Sequence, residues 1–180
     1  LVFIDLTGDG VDEIAVLAAA GIVNGVGNGQ YKPNEAMTRA EFAAMIARAF
    51  DIEPVTETTF VDVKGQWFEK EVQALKDAGI INGVTATTFA PNEAVTREQA
   101  AVMIVNTLVQ QGYEAKTSAD SLSFTDADKV SAYAKVALAE LQAKEIMIGH
   151  NGAIDPASSL TRGQMAKVLK RSLDLINYEF

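Results

Sequence analysis

With 180 residues, 48% of them hydrophobic and 22% charged, the chain is long enough to bury a core and too ordinary in composition to be disordered. Its net charge of −9, with Lys and Arg scattered, offers no basic stripe for a phosphate backbone, so nucleic acid is not an expected partner. Cysteine is absent, which excludes a disulfide framework, a thiolate zinc site and a cysteine nucleophile. The longest apolar run, Ile14 to Val23, is far shorter than the ~20 residues needed to cross a bilayer. No membrane contact is expected, and the opening at Leu1 has no basic n-region or cleavage site, so any export signal is expected outside this sequence.

In chain order, the sequence writes one pattern three times. The first unit opens on Phe3-x-Asp5 and predicts a helix through Ile14, Leu17 and Ala18, which stops at AAGIVNG (19–25). A loop then closes at Pro33, and NEAMTRAEF starts a second helix with Phe42, Met45, Ile46, Ala49 and Phe50 at i, i+3, i+4, i+7 and i+8. The second unit repeats this from Phe60-x-Asp62, through a helix with Val72 and Leu75, DAGIING (77–83), Pro91 and NEAVTREQA, to Ala100, Met103, Ile104 and Leu108. The third runs from Phe124-x-Asp126, through Leu138 and Leu141, AKEIMIG (143–149), Pro156 and ASSLTRGQM, to Met165, Val168, Leu169 and Leu173. The expected fold is all-α, with repeats at 1–52, 60–110 and 124–177 folding as one module and linkers at 53–59 and 111–123.

Thr38 with Glu41, Thr96 with Gln99 and Thr161 with Gln164 fit capping boxes, a structural use of all six side chains. Between them Arg39, Arg97 and Arg162 occupy the first helical position, where a cation costs roughly 0.3 to 1 kcal/mol against the helix dipole. Three repetitions of an unfavourable choice point to a use, and helix amides converging with an arginine suit a bound anion. The structural alternative pairs each arginine with a neighbouring acid, Asp5, Asp62 or Asp126, as bracing between repeats. Trp67, the only tryptophan, can stack on a sugar face or fill core. Gly25, Gly83 and Gly149 can expose loop amides to a ligand or simply make turns.

DLTGDGVDEIAV imitates a calcium loop through Asp5, Thr7, Asp9, Gly10 and Glu13, but position twelve is Val16, where a bidentate acid is required, so no metal is expected. His150 is the only histidine and reads as an exposed loop residue. No carboxylate pair stands out as a glycosidase acid and nucleophile, so no catalytic residue is expected.

FVDV, WFEKEVQALKDAGIING and FAPNEAVTREQ in the second unit carry nearly all the marks of the S-layer homology (SLH) family of bacterial surface proteins, which the chain resembles over almost its whole length. The resemblance implies a pseudo-threefold assembly around a central three-helix bundle of first helices, with grooves between neighbouring repeats. It implies an extracellular, non-enzymatic module at the bacterial cell wall, without cofactor. The ligand it implies is a peptidoglycan-linked secondary cell-wall polysaccharide, anionic and often pyruvylated, and S-layer lattice neighbours are possible partners through other parts of the protein. Self-assembly within a surface lattice and hydrolysis of wall glycan are the rival readings. The implied site comprises the three arginines, Asp5, Asp62, Asp126, Trp67, Tyr133, Asn82 and the three turn glycines. The first repeat departs from the pattern, having Asp9 where the second has Trp67. The third has Glu145, Ile148 and Gly163 in place of glycine, asparagine and alanine. On completeness within a repeat, Arg97 is expected to dominate ligand binding, followed by Arg39 and then Arg162.

Overall fold

The computed structural model describes residues 3–8 and 10–179; Asp9 therefore lies outside the described residues. Among these, six α-helices form: α1 (Val11–Ala19), α2 (Arg39–Ala49), α3 (Glu69–Asp77), α4 (Arg97–Gln110), α5 (Lys135–Ala143) and α6 (Arg162–Leu175). Short 3-10 turns lie at Ala119–Ser121, Ala127–Lys129 and Ala132–Ala134, and β-pairing is confined to isolated bridges. The chain is all-α, two helices per repeat. No helix among the described residues is long and apolar enough to cross a membrane.

The helix ends follow from local chemistry. Thr38, Thr96 and Thr161 sit in extended backbone and each accepts the amide three residues on; at Thr96 and Thr161 the glutamine returns the bond and completes the box. The first helices stop where the chain turns left-handed, at Gly21 and Gly79 with φ of 74°, and at Glu145 with φ of 57°. Glu145 adopts the conformation that its missing glycine would take, at a cost of about 1 kcal/mol.

Two compact units divide the chain, Met37–Val95 and Leu1–Ala36 with Thr96–Phe180. Their boundaries cut through repeats because of how the helices pair. In Met37–Val95, α2 packs on α3; in the other unit, α4 packs on α5 and α6 on α1. A second helix thus covers its apolar stripe with the first helix of the following repeat, and the last repeat turns to the first. Phe42, Ile46, Phe60, Leu75 and Phe89 are fully buried in the former unit, and Ile14, Leu17, Tyr31, Leu108, Leu138 and Leu169 in the latter.

The two connectors are tied to first helices. The Asp77 carboxylate accepts from the amides of Val55 (2.7 Å) and Thr56 (2.9 Å), the Thr56 hydroxyl and Gln73 Nε2 (2.9 Å). Buried Glu140 accepts from the Tyr113 hydroxyl (2.6 Å) and the Thr117 amide (2.8 Å). Burial pushes Asp77 upward, but the bonds from Thr56, Val55 and Gln73 outweigh it and bring its pKa from 3.8 to about 2. A carboxylate depressed by folding stabilises the protein above its unfolded value and loses that contribution as pH falls through the folded one. Asp77→Asn is therefore expected to flatten the loss of melting temperature between pH 3.8 and about 2 relative to the parent. Parallel slopes across that window would refute the clasp.

Candidate functional site

The site is built on the loop that ends each repeat's first half. Each opening aspartate holds two consecutive amides just before the proline. Asp5 accepts from Tyr31 and Lys32 (2.8 Å each), Asp62 from Phe89 (2.9 Å) and Ala90 (2.8 Å), and Asp126 from Ile154 and Asp155 (2.9 Å each). The Tyr31 amide brings Asp5 below the usual carboxylate range. Burial pushes Asp126 upward, and the amides of Ile154 and Asp155 more than offset it. These carboxylates brace their own loops through backbone amides. Gly83 sits against the opening Phe60, and a Cβ there would lie 2.2 Å from the Thr85 oxygen and 2.3 Å from that of Thr88. Gly25 and Gly149 are confined in the same way, by the Gln30 oxygen at 2.6 Å and the Ala153 oxygen at 2.3 Å and by Phe3 and Phe124. The absence of a side chain at all three is required by backbone packing.

Each second-helix arginine reaches into the loop of the next repeat. Arg39 Nε donates to the Phe89 carbonyl (3.0 Å), Arg97 Nε to that of Ile154 (2.6 Å) and Arg162 Nε to that of Tyr31 (2.7 Å). Two helical amides follow the same route. Arg39 and Ala40 donate to Glu93 and Pro91, Arg97 and Glu98 to Ser158 and Pro156, and Arg162 and Gly163 to Glu35 and Pro33. With the third amide on the capping threonine, the helix amides that the sequence suggested for an anion are occupied by the protein itself. This corrects the helix-terminus argument while supplying another reason for the arginines: each one latches two repeats.

The three latches differ in what covers them. Arg39 lies 4.6 Å above the Phe89 ring and Arg162 lies 4.5 Å above that of Tyr31, and both residues are buried. At the corresponding place in the third repeat stands Ile154, and Arg97 is only half-buried, with Nη1 donating to Gln164 Oε1 (3.0 Å). Burial draws the Arg97 guanidinium below its ordinary value, with Asp155 and Asp126 acting in the opposite direction. It stays charged, since an arginine is not deprotonated in proteins.

Arg97 lines a cleft of about 310 Å³ together with Gly149, His150, Asp155, Gln164, Lys167 and Arg171, among others. Among the described lining residues are three cations and one acid, in a chain of net charge −9. Gln164 is read from sequence only as a cap, and Lys167 and Arg171 attract no notice there. Their signal is the i, i+3, i+7 polar stripe 164, 167 and 171, which acquires meaning once that face is known to line a cleft. Trp67 is exposed and lines a separate cleft of about 640 Å³ inside Met37–Val95, with Lys64, Lys70, Glu69, Thr58 and Gln73. Tyr133 is exposed beside Glu98, and Asn82 is exposed; neither lines either cleft. Trp67, Asn82, Gly83 and Asp62 therefore accompany the loop gripped by Arg39, whereas Arg97 meets the third repeat's loop. Among the described residues no group of three or more His, Cys, Asp or Glu is placed to hold a metal.

Tandem helix–loop–helix repeats latched through an arginine, with a cationic cleft at one junction, define a repeat-built module. Residues 5–43, 59–101 and 123–166 each match the S-layer homology domain, and the chain belongs to that family. It is 31% identical over 180 residues to the Surface-layer 125 kDa protein of Lysinibacillus sphaericus, covering 97% of this chain and 15% of that protein. An Endoglucanase of Bacillus sp. (strain KSM-635) is 31% identical over 153 residues, 84% of this chain and 16% of the enzyme. The S-layer protein sap of Bacillus anthracis is 27% identical over 168 residues, 91% of this chain and 20% of that protein. The chain thus spans a fifth or less of each of these relatives.

Proposed function

We propose that the chain is a non-catalytic anchoring module that holds a larger protein at the bacterial cell surface by binding an anionic secondary cell-wall polysaccharide. Its family and its surface-layer relatives support the location. That a surface-layer protein and an endoglucanase both match these 180 residues, over 15% and 16% of their own lengths, favours a shared module over a shared reaction. The observation that carries the reading is Arg97, a half-buried guanidinium without an ion-paired carboxylate among the described residues, lining a cleft with Lys167 and Arg171. A carboxylate such as that of a pyruvate ketal would find there a charged planar fork in a partly desolvated setting. Within Met37–Val95, the exposed Trp67 offers an indole face on which a sugar ring can stack.

Wall pull-down tests this. The protein should bind purified walls and lose them when the secondary polymer is chemically removed. Arg97→Gln should weaken binding to intact walls by roughly 10-fold or more, the loss of one charge-assisted contact. Binding that survives stripping would reject the proposed ligand.

A further inference from the structure

The cleft that holds Arg97 contains a second guanidinium. Gln164, Lys167, Val168 and Arg171 fall at i, i+3, i+4 and i+7 on α6 and all line it. Arg171 is half-buried, and its Nη1 donates to the Ile146 carbonyl (3.2 Å). That bond fixes the side chain without neutralising it, and no carboxylate pairs with Arg171 among the described residues. Arg97 is fixed in the same manner on Ile154 and Gln164. Two positioned and partly desolvated guanidiniums line one cleft, where each disfavours the other electrostatically, and Asp155 is the only acid among the described lining residues. Such a pair is relieved by a ligand that brings more than one negative charge.

The other repeats sharpen the point. Where the third repeat has Lys167 and Arg171, the first has Ala44 and Arg48 and the second Val102 and Asn106. Arg48 is already bound to Glu71, at 2.9 Å. Only the third repeat adds two cations along this stripe.

We propose that Arg171 is a second anion-gripping residue, and that this cleft takes a stretch of acidic glycan bearing two negative groups, one held by Arg97 and the other by Arg171. The proposal rests on the polysaccharide reading above. The test is calorimetric titration of the whole chain with two probes, a sugar carrying a single pyruvate ketal and an oligosaccharide of the wall polymer carrying two acidic groups. Arg171→Gln should weaken the diacidic probe by roughly 10-fold or more while changing the monoacidic one by about 2-fold or less. Arg171→Asn, which installs the residue that the second repeat has at this place, should do the same and guards against a local effect of glutamine. Equal weakening of both probes, or of neither, overturns the second contact. If Arg97→Gln weakens both probes while Arg171→Gln leaves both unchanged, this inference falls and the polysaccharide reading stands. If the parent chain binds neither probe, both fall together.

Discussion

Arg162→Ala is expected to destabilise the protein by about 3 kcal/mol, which for a chain of this size lowers the melting temperature by about 6 to 12 °C. Arg162 donates to the carbonyls of Tyr31 (2.7 Å) and Asn24 (3.0 Å) and lies over the Tyr31 ring, whose hydroxyl donates back to the Arg162 carbonyl (3.1 Å). Truncation leaves the buried Tyr31 carbonyl without this donor, removes a stacked cation and opens a gap beside α1. Arg162→Lys keeps the charge but cannot reproduce the Nε and Nη2 pair, so its melt should fall between the two. Differential scanning calorimetry decides the matter. An Arg162→Ala melt within 2 °C of the parent, roughly the effect of under 1 kcal/mol, would show that the latch carries no stability.

Gly83→Ala should cost as much or more, about 3 kcal/mol, by a different route. The new methyl would meet two backbone oxygens at 2.2 and 2.3 Å and the Phe60 ring at 2.6 Å, and backbone cannot swing aside as a long side chain can. To admit it, the turn must move off Phe60 and carry with it the loop that Asp62 holds at Phe89 and Ala90. Gly79→Ala is the informative control. Nothing lies within 4 Å of its added carbon, and its φ of 74° alone sets a penalty of about 1 kcal/mol. Equal melting temperatures for the two variants would show that the turn yields without resistance.

The repeats, their two helices and the threonine caps were legible because each rests on local periodicity or on chemistry within four residues. Partner choice was not, since an apolar stripe says that it must be covered and not by which helix. Weighing each repeat as a closed set therefore grouped Arg97 with Trp67, Asn82 and Gly83, although Arg97 grips the loop at Ile154. The repeated Phe-x-Asp was visible, but its use was not. Asp5, Asp62 and Asp126 bind amides 26 to 29 residues away in sequence, a separation that no spacing rule covers. Arg97 stands apart for a reason written elsewhere in the chain: Ile154 takes the place that Tyr31 and Phe89 hold in the other loops, and no ring among the described residues closes over the guanidinium.

The junction of the last repeat with the first has the same parts as those between neighbours along the chain: an Nε bond, two helix amides on a proline loop, and a pair of packed helices. Yet Arg162 and the carbonyls its side chain grips are separated by more than 130 residues of sequence. Covalent succession is thus not what makes a junction. A pull on the start of α6 therefore loads Tyr31 and Asn24, which stand far earlier in the sequence, through the two bonds that Arg162 makes to them.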